Sequence, residues 1–221
     1  MKNNLPKICY WCGENLTSET NQREHVPPLS FFPKGFRENL MTVPACKKHN
    51  SEFSELDEKF QFLIKALRTN SVAENDLLDR VIRGLQRKEK EKFVKELEQK
   101  ITRGNINGKE HLLVEINNNE NDIFIEKIIR GIFFYHNEIP AKGIIQSISK
   151  RILNDGVNNS AMINFLKEDL NTQILTNGDF NNPDVFKYQY LNAHGMFAIF
   201  MQFYSEAEFI GWVFPENFTF D

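Results

Sequence analysis

The sequence predicts an α+β fold, with a small N-terminal module, a helical middle and a C-terminal unit built on an antiparallel sheet. Three observations predict it. All three cysteines fall within the first fifty residues, in spaced pairs with a histidine. Apolar residues recur at helical spacing from Phe53 to Ile101. Alternating apolar runs separated by glycine-containing turns fill the end of the chain. The composition, 41% hydrophobic and 26% charged, is that of a chain able to bury a core.

The N-terminal module comes first. Its cysteines are Cys9, Cys12 and Cys46, an odd number that argues against a disulfide framework. Two form Cys9-x-x-Cys12, and the third opens Cys46-x-x-His49. Ligands two residues apart on a tight turn reach one tetrahedral ion, and a second such pair closes the shell. Cys9, Cys12, Cys46 and His49 are therefore expected to hold one structural Zn²⁺. Gly13, directly after Cys12, suits the positive φ of such a turn.

Between the pairs stands Arg23-Glu24-His25-Val26-Pro27-Pro28, and Asn50 follows His49. Phosphodiester hydrolysis needs an activated water and a cation on the phosphate. A histidine that titrates near neutral pH suits the first task, and a carboxylate beside it suits the second. Pro27 and Pro28 cannot donate to a strand ladder and end any strand before them. At such an end Glu24 and His25 can converge on one site.

The order Cys-x-x-Cys, Glu-His-Val-Pro-Pro, Asn-Leu…Val-Pro-Ala-Cys, x-x-His-Asn resembles the zinc-containing HNH endonucleases of the ββα-metal superfamily. The resemblance covers about residues 8–60. It implies a zinc-stapled ββα-metal motif with His25 as general base and Glu24 as ligand of a catalytic Mg²⁺ or Mn²⁺. It makes Asn50 a second contributor to that metal and Asn39 the brace of the loop around the base. Two departures stand out. The interval from Asn39 to Asn50 is two residues longer than in the compact motif, and His49 replaces the usual fourth cysteine.

The helical middle begins with Phe53–Arg68, where Phe53, Leu56, Phe60, Leu63, Ile64 and Leu67 share a stripe. Ser54, Asp57 and Glu58 read first as a solvated face of that helix, with a role at or beside the metal as the alternative. Leu77–Ile101 reads as a second helix, with a basic face running from Arg80 to Lys95 that is read as a solvated face with i,i+4 pairs to interleaved glutamates, or else as a phosphate contact. The glycine-flanked stretch 104–108 is the expected domain boundary. It divides a zinc module (1–68) and a helical connector (69–103) from an α+β domain (109–221). Beyond it, His111–Ile116 reads as a strand, 117–121 as a turn and Ile123–His136 as a helix. A polar loop at 154–159 precedes a short helix at Ala161–Leu170. Val185–Leu191, Met196–Tyr204 and Phe209–Phe214 read as strands. His111, His136 and His194 have no partners in the sequence and read as structural or surface residues.

Charge and hydropathy bound the function. The net charge of −3 excludes indiscriminate coating of nucleic acid. Residues 1–50 nonetheless carry seven Lys or Arg against four Glu, enough for a local basic cleft. Neither a signal-peptide pattern nor a membrane span is legible, so the cytoplasm is the expected location. The expected function is metal-dependent cleavage of nucleic acid, DNA foremost. A protein partner is envisaged through the C-terminal region. The alternatives are a non-catalytic zinc module that binds nucleic acid or protein, and a nuclease subunit activated by a partner in a bacterial defence system.

Overall fold

The computed structural model describes residues 4–106, 108–149, 175–178, 182–193 and 195–217. It is a mixed α+β structure with antiparallel sheets throughout the described residues. Strands β1 (Gln22–His25) and β2 (Thr42–Ala45) pair with Gln22 opposite Ala45 and His25 opposite Thr42. The loop between them turns Val26, Phe31, Phe32, Leu40 and Met41 inward. Helix α1 (Lys47–Ser51) follows β2 directly, and α2 (Ser54–Ala66) continues from it. The apolar stripe expected along Phe53–Arg68 becomes the buried face of α2, through Phe60, Leu63 and Ile64.

The second expected helix is not continuous. Residues 71–99 form α3 (Ser71–Asp76), a π-type turn (Leu77–Val81), α4 (Ile82–Leu85), a 3-10 turn (Lys88–Lys90) and α5 (Glu91–Gln99). Asn70 starts α3 by accepting the Ala73 N–H at 2.9 Å. The charged run from Arg87 to Lys92 then offers no apolar face to bury, and Leu97 is the buried residue of α5. Periodicity survives across the breaks, but without burial it does not hold one helix together. The basic side chains are largely paired, as Arg83–Asp79, Lys92–Glu96 and Lys95–Glu91 on successive turns.

Ile101, expected to end that helix, opens β3 (Ile101–Ile106), which pairs with β4 (Lys109–Val114). Within the expected boundary at 104–108, Gly104, Asn105 and Ile106 end β3, and Gly108 stands at φ +80° directly before β4. Side chains from both sides of it share one core, in which Phe31 stacks on Phe124 at 5.5 Å.

Helix α6 (Asn118–Asn137) is the centre of the molecule. The turn expected at 117–121 is its first turn. The Asn117 side chain accepts the Asn119 N–H at 2.9 Å, so the asparagine run caps a helix. Buried residues lie on most sides of α6, as in a helix surrounded by protein. It packs on β2 of the first hairpin and on β5 (Ile145–Ser149) and β9 (Ala207–Val213) of the large sheet. That sheet also contains β6 (Thr176–Asn177), β7 (Phe186–Ala193) and β8 (Met196–Phe203), in the antiparallel order β5-β9-β8-β7-β6. The three C-terminal strands occur close to their expected positions, and β5 and β6 add an edge on each side. Gly211 of β9 brings sheet and helix together, since a Cβ there would meet Ile129 Cδ1 at 2.3 Å.

His136 has a structural place, its Nε2 2.9 Å from the Tyr188 hydroxyl and its ring stacked on Tyr190. His111 is exposed on β4. The expected helix at Ala161–Leu170, the loop before it and His194 lie outside the described residues. Among the described residues no helix is long and apolar enough to cross a membrane.

Candidate metal centre and adjoining cleft

The first ligand pair sits on a backbone knuckle. Ile8 and Asn15 bridge in antiparallel fashion, and the Cys9 N–H donates to the Glu14 carbonyl at 2.8 Å. The Gly13 N–H donates back to the Cys9 carbonyl at 2.9 Å, with Gly13 at φ +76°. This turn points Cys9 and Cys12 the same way. The second pair uses a helix start. Cys46 is extended, at φ −74° and ψ 162°, immediately before α1, and His49 lies three residues on, over the same side of the first turn.

The four ligand atoms lie within 4.8 Å of one another. His49 presents Nδ1, 3.6 Å from Cys9 Sγ and 3.1 Å from Cys46 Sγ. A tetrahedron with zinc–sulfur bonds of about 2.3 Å has edges of roughly 3.8 Å, so the cluster has the dimensions of a zinc shell. The donor set, three thiols and an imidazole, is that of a closed structural zinc site. Burial lowers the His49 pKa and so favours the neutral imidazole that a metal needs. Glu52 Oε2 stands 4.0 Å from the other ring nitrogen, where it can orient the ring. The Cys3His cluster is thus able to bind a metal ion such as zinc.

Trp11, between the first two cysteines, completes the setting. It stacks on His49 at 5.8 Å and packs on Phe53 at 4.9 Å. The Arg130 guanidinium of α6 lies 4.8 Å from its ring centroid.

Beside this cluster is a cleft of about 410 Å³ lined by Glu24, His25, Asn50, Ser54, Asp57 and Glu58, with Ser30 and Arg23 at its wall. Three of the four residues expected in catalysis therefore meet in one place. His25 is the last residue of β1 and is partly buried. Burial lowers its pKa, and Arg37 and Arg23 lower it further, so the neutral ring prevails at pH 7. Glu24, one residue earlier, is buried. Its Oε1 accepts from Lys127 Nζ of α6 at 2.8 Å. Its Oε2 accepts from the Asn50 amide nitrogen at 3.0 Å, and the same nitrogen lies 3.2 Å from the Arg23 carbonyl. Burial raises the Glu24 pKa, and the Lys127 ammonium works against that rise.

Asn39 stands apart, exposed in the loop before β2 with φ +53°, and is not part of the cleft lining. Asp57 departs from its expected place on a solvated helix face. Its side chain is 14% exposed, and its Oδ2 accepts from Lys127 Nζ at 2.6 Å. Its Oδ1 is buried with no hydrogen-bond partner. Glu58 is ion-paired with Lys90. Sequence reasoning missed Trp11, Lys127 and Arg130, and for Asp57 it favoured a solvated face over a place near the metal. A signal for Lys127 and Arg130 exists in the apolar run of α6, where a buried cation must have a partner.

No family model matches the chain, no curated protein matches it, and no solved structure matches it.

Proposed function

We propose that the chain is an HNH-type endonuclease that hydrolyses phosphodiester bonds of nucleic acid, DNA foremost, with His25 as general base. The observation that carries this reading is the meeting of Glu24, His25 and Asn50 in one cleft beside the Cys3His cluster. They come from the end of a β-strand and the start of the helix after its partner, the element order that a ββα-metal motif requires.

The residues present fit a hard divalent cation. The Asn50 amide faces Glu24 Oε2 at 3.0 Å. Turned over, it brings an amide oxygen beside a carboxylate oxygen, the donor set suited to Mg²⁺ or Mn²⁺. Such a cation, when bound, would polarise the phosphate and assist the leaving oxygen. The protein's own groups do the rest. His25, neutral at physiological pH, accepts the proton of the attacking water. Glu24 fixes the position of that chemistry through its two-sided anchoring. Arg23 and Arg37 lower the His25 pKa by their charge, and the same charge attracts a polyanion. The Cys3His cluster ties the N-terminal knuckle to the start of α1 without taking part.

The test is incubation of zinc-loaded protein with supercoiled plasmid in Mg²⁺ or Mn²⁺, wild type beside His25→Ala. Nicking by wild type that is lost in the variant and in EDTA supports the reading. Equal cleavage by both overturns it.

A further inference from the structure

We propose that Lys127 is a built-in cation of the cleft, a positioning residue that reserves Glu24 Oε1 and Asp57 and so denies that position to a divalent ion. The proposal deepens the nuclease reading and rests on it for the role of Glu24.

Lys127 is 1% exposed and comes from α6, a part of the chain to which the motif assigns nothing. Its ammonium lies 2.8 Å from Glu24 Oε1 and 2.6 Å from Asp57 Oδ2, and 5.3 Å from the Phe53 ring centroid. A buried ammonium needs such partners, because desolvating it alone is costly. Two carboxylates that converge on one small cation would equally suit a metal. Lys127 occupies that place. Glu24 is thereby divided: Oε1 belongs to Lys127, and Oε2 faces Asn50. A divalent ion on the Asn50 side meets one free carboxylate oxygen and is kept out of the space between Glu24 and Asp57.

How Lys127 gets there is visible in the helix. Gly131 lies one turn further along the same face, and a Cβ on it would sit 2.5 Å from Val26 Cγ2. The missing side chain lets α6 approach the hairpin closely enough for Lys127 to reach Glu24.

Removal of the ammonium leaves two buried carboxylates with no cation between them. Asp57 Oδ1, already without a partner, adds a further lone pair. The vacated place should then take a divalent ion. The experiment is titration calorimetry of Mn²⁺ into full-length, zinc-loaded wild type, Asp57→Asn, Lys127→Met and the double variant. Lys127→Met should tighten Mn²⁺ binding by roughly tenfold or more, through loss of like-charge repulsion and gain of a ligand. Addition of Asp57→Asn should abolish that gain. Asp57→Asn alone should leave the wild-type affinity within about threefold, since Asp57 is held by Lys127.

The proposal is overturned if Lys127→Met folds and gains no Mn²⁺ affinity, or gains affinity that ignores Asp57. It is also overturned if Asp57→Asn alone abolishes wild-type binding, which would make Asp57 a ligand. Should Lys127→Met fail to fold, Lys127→Gln, one atom shorter but with an uncharged donor, is read against the same outcomes. Cleavage is not the readout, so the two readings separate. A wild type that binds no Mn²⁺ beside a Lys127→Met variant with an Asp57-dependent site supports Lys127 and overturns the metal in the proposed function.

Discussion

Gly131 of α6 lies so close to Val26 that a Cβ added to the glycine would fall 2.5 Å from Cγ2 and 2.8 Å from Cγ1 of the valine. A change of Val26 rotamer would still leave a tight contact, because its own Cβ stands 3.2 Å away. Gly131→Ala should therefore destabilise the protein by about 1–3 kcal/mol, the usual cost of overpacking. The loss should exceed any gain from the better helix propensity of alanine, about 1 kcal/mol. Urea denaturation of Gly131→Ala and of Gly131→Ala with Val26→Ala checks this. The second substitution should recover part of the stability lost to the first.

The Cys3His cluster should carry one zinc per chain by elemental analysis. Cys46→Ser should abolish it, together with the near-ultraviolet signal of Trp11, which packs on His49. Structural zinc contributes on the order of 10 kcal/mol in small domains, so a strong chelator should lower the melting temperature sharply. Metal-free protein that melts like wild type would refute the staple.

His25→Ala should slow cleavage by roughly 10²–10⁴-fold, the worth of a general base, while leaving zinc content unchanged. The pH profile has a definite sign. Burial and the charges of Arg37 and Arg23 all lower the His25 pKa, so the base form appears below the usual histidine midpoint. The rate should rise as pH increases through that lowered value and then level off. Arg37→Ala removes one of these charges and should move the limb to higher pH.

Lys65 is fully buried, and its ammonium contacts Asp76 Oδ2 at 2.5 Å and the Ser30 carbonyl at 3.1 Å. Asp76→Asn should cost about 3–5 kcal/mol at pH 7 by leaving a buried charge uncompensated. Burial pushes the Lys65 pKa down to about 8 even with Asp76 in place. The folded state therefore sheds this proton before the unfolded state does. Between about pH 8 and the ordinary lysine value of 10.5, the unfolded chain binds more protons, and this group's contribution to stability rises with pH. The penalty of Asp76→Asn should shrink as pH rises through about 8, where the wild-type ammonium loses its proton, and level off above it. Chemical denaturation at pH 7 and pH 9.5 reads the difference.

The parts of the site that a sequence reveals are those written in short spacings. Cys9 with Cys12, Cys46 with His49, and Glu24 beside His25 each need only a turn or a helix start, and all are where the spacing puts them. For Asp57 the sequence left two readings, solvated face or metal neighbour, because its helical position faces both the cleft and α6, and only the docking of α6 decides which side is wet. Lys127 lies 70 positions from Asp57, and Arg130 is farther still from Trp11, so no local rule joins them. The breaks between Leu77 and Ile101 were hidden for the opposite reason. The apolar period is present there, but almost nothing covers it. The stretch 104–108 reads as a linker because glycine and asparagine serve a hairpin end as well as a boundary.

The distance along the chain between Glu24 and Lys127 also sets a timetable. A ribosome adds about 5–20 residues per second, so Glu24 emerges on the order of 5–20 s before the lysine that anchors it. Over that interval the cysteines and His49 are already available to take up metal, while one carboxylate oxygen of the future cleft has nothing to hold it. The two ligand pairs can therefore meet before α6 exists, whereas the Glu24 side of the cleft is completed only when α6 docks.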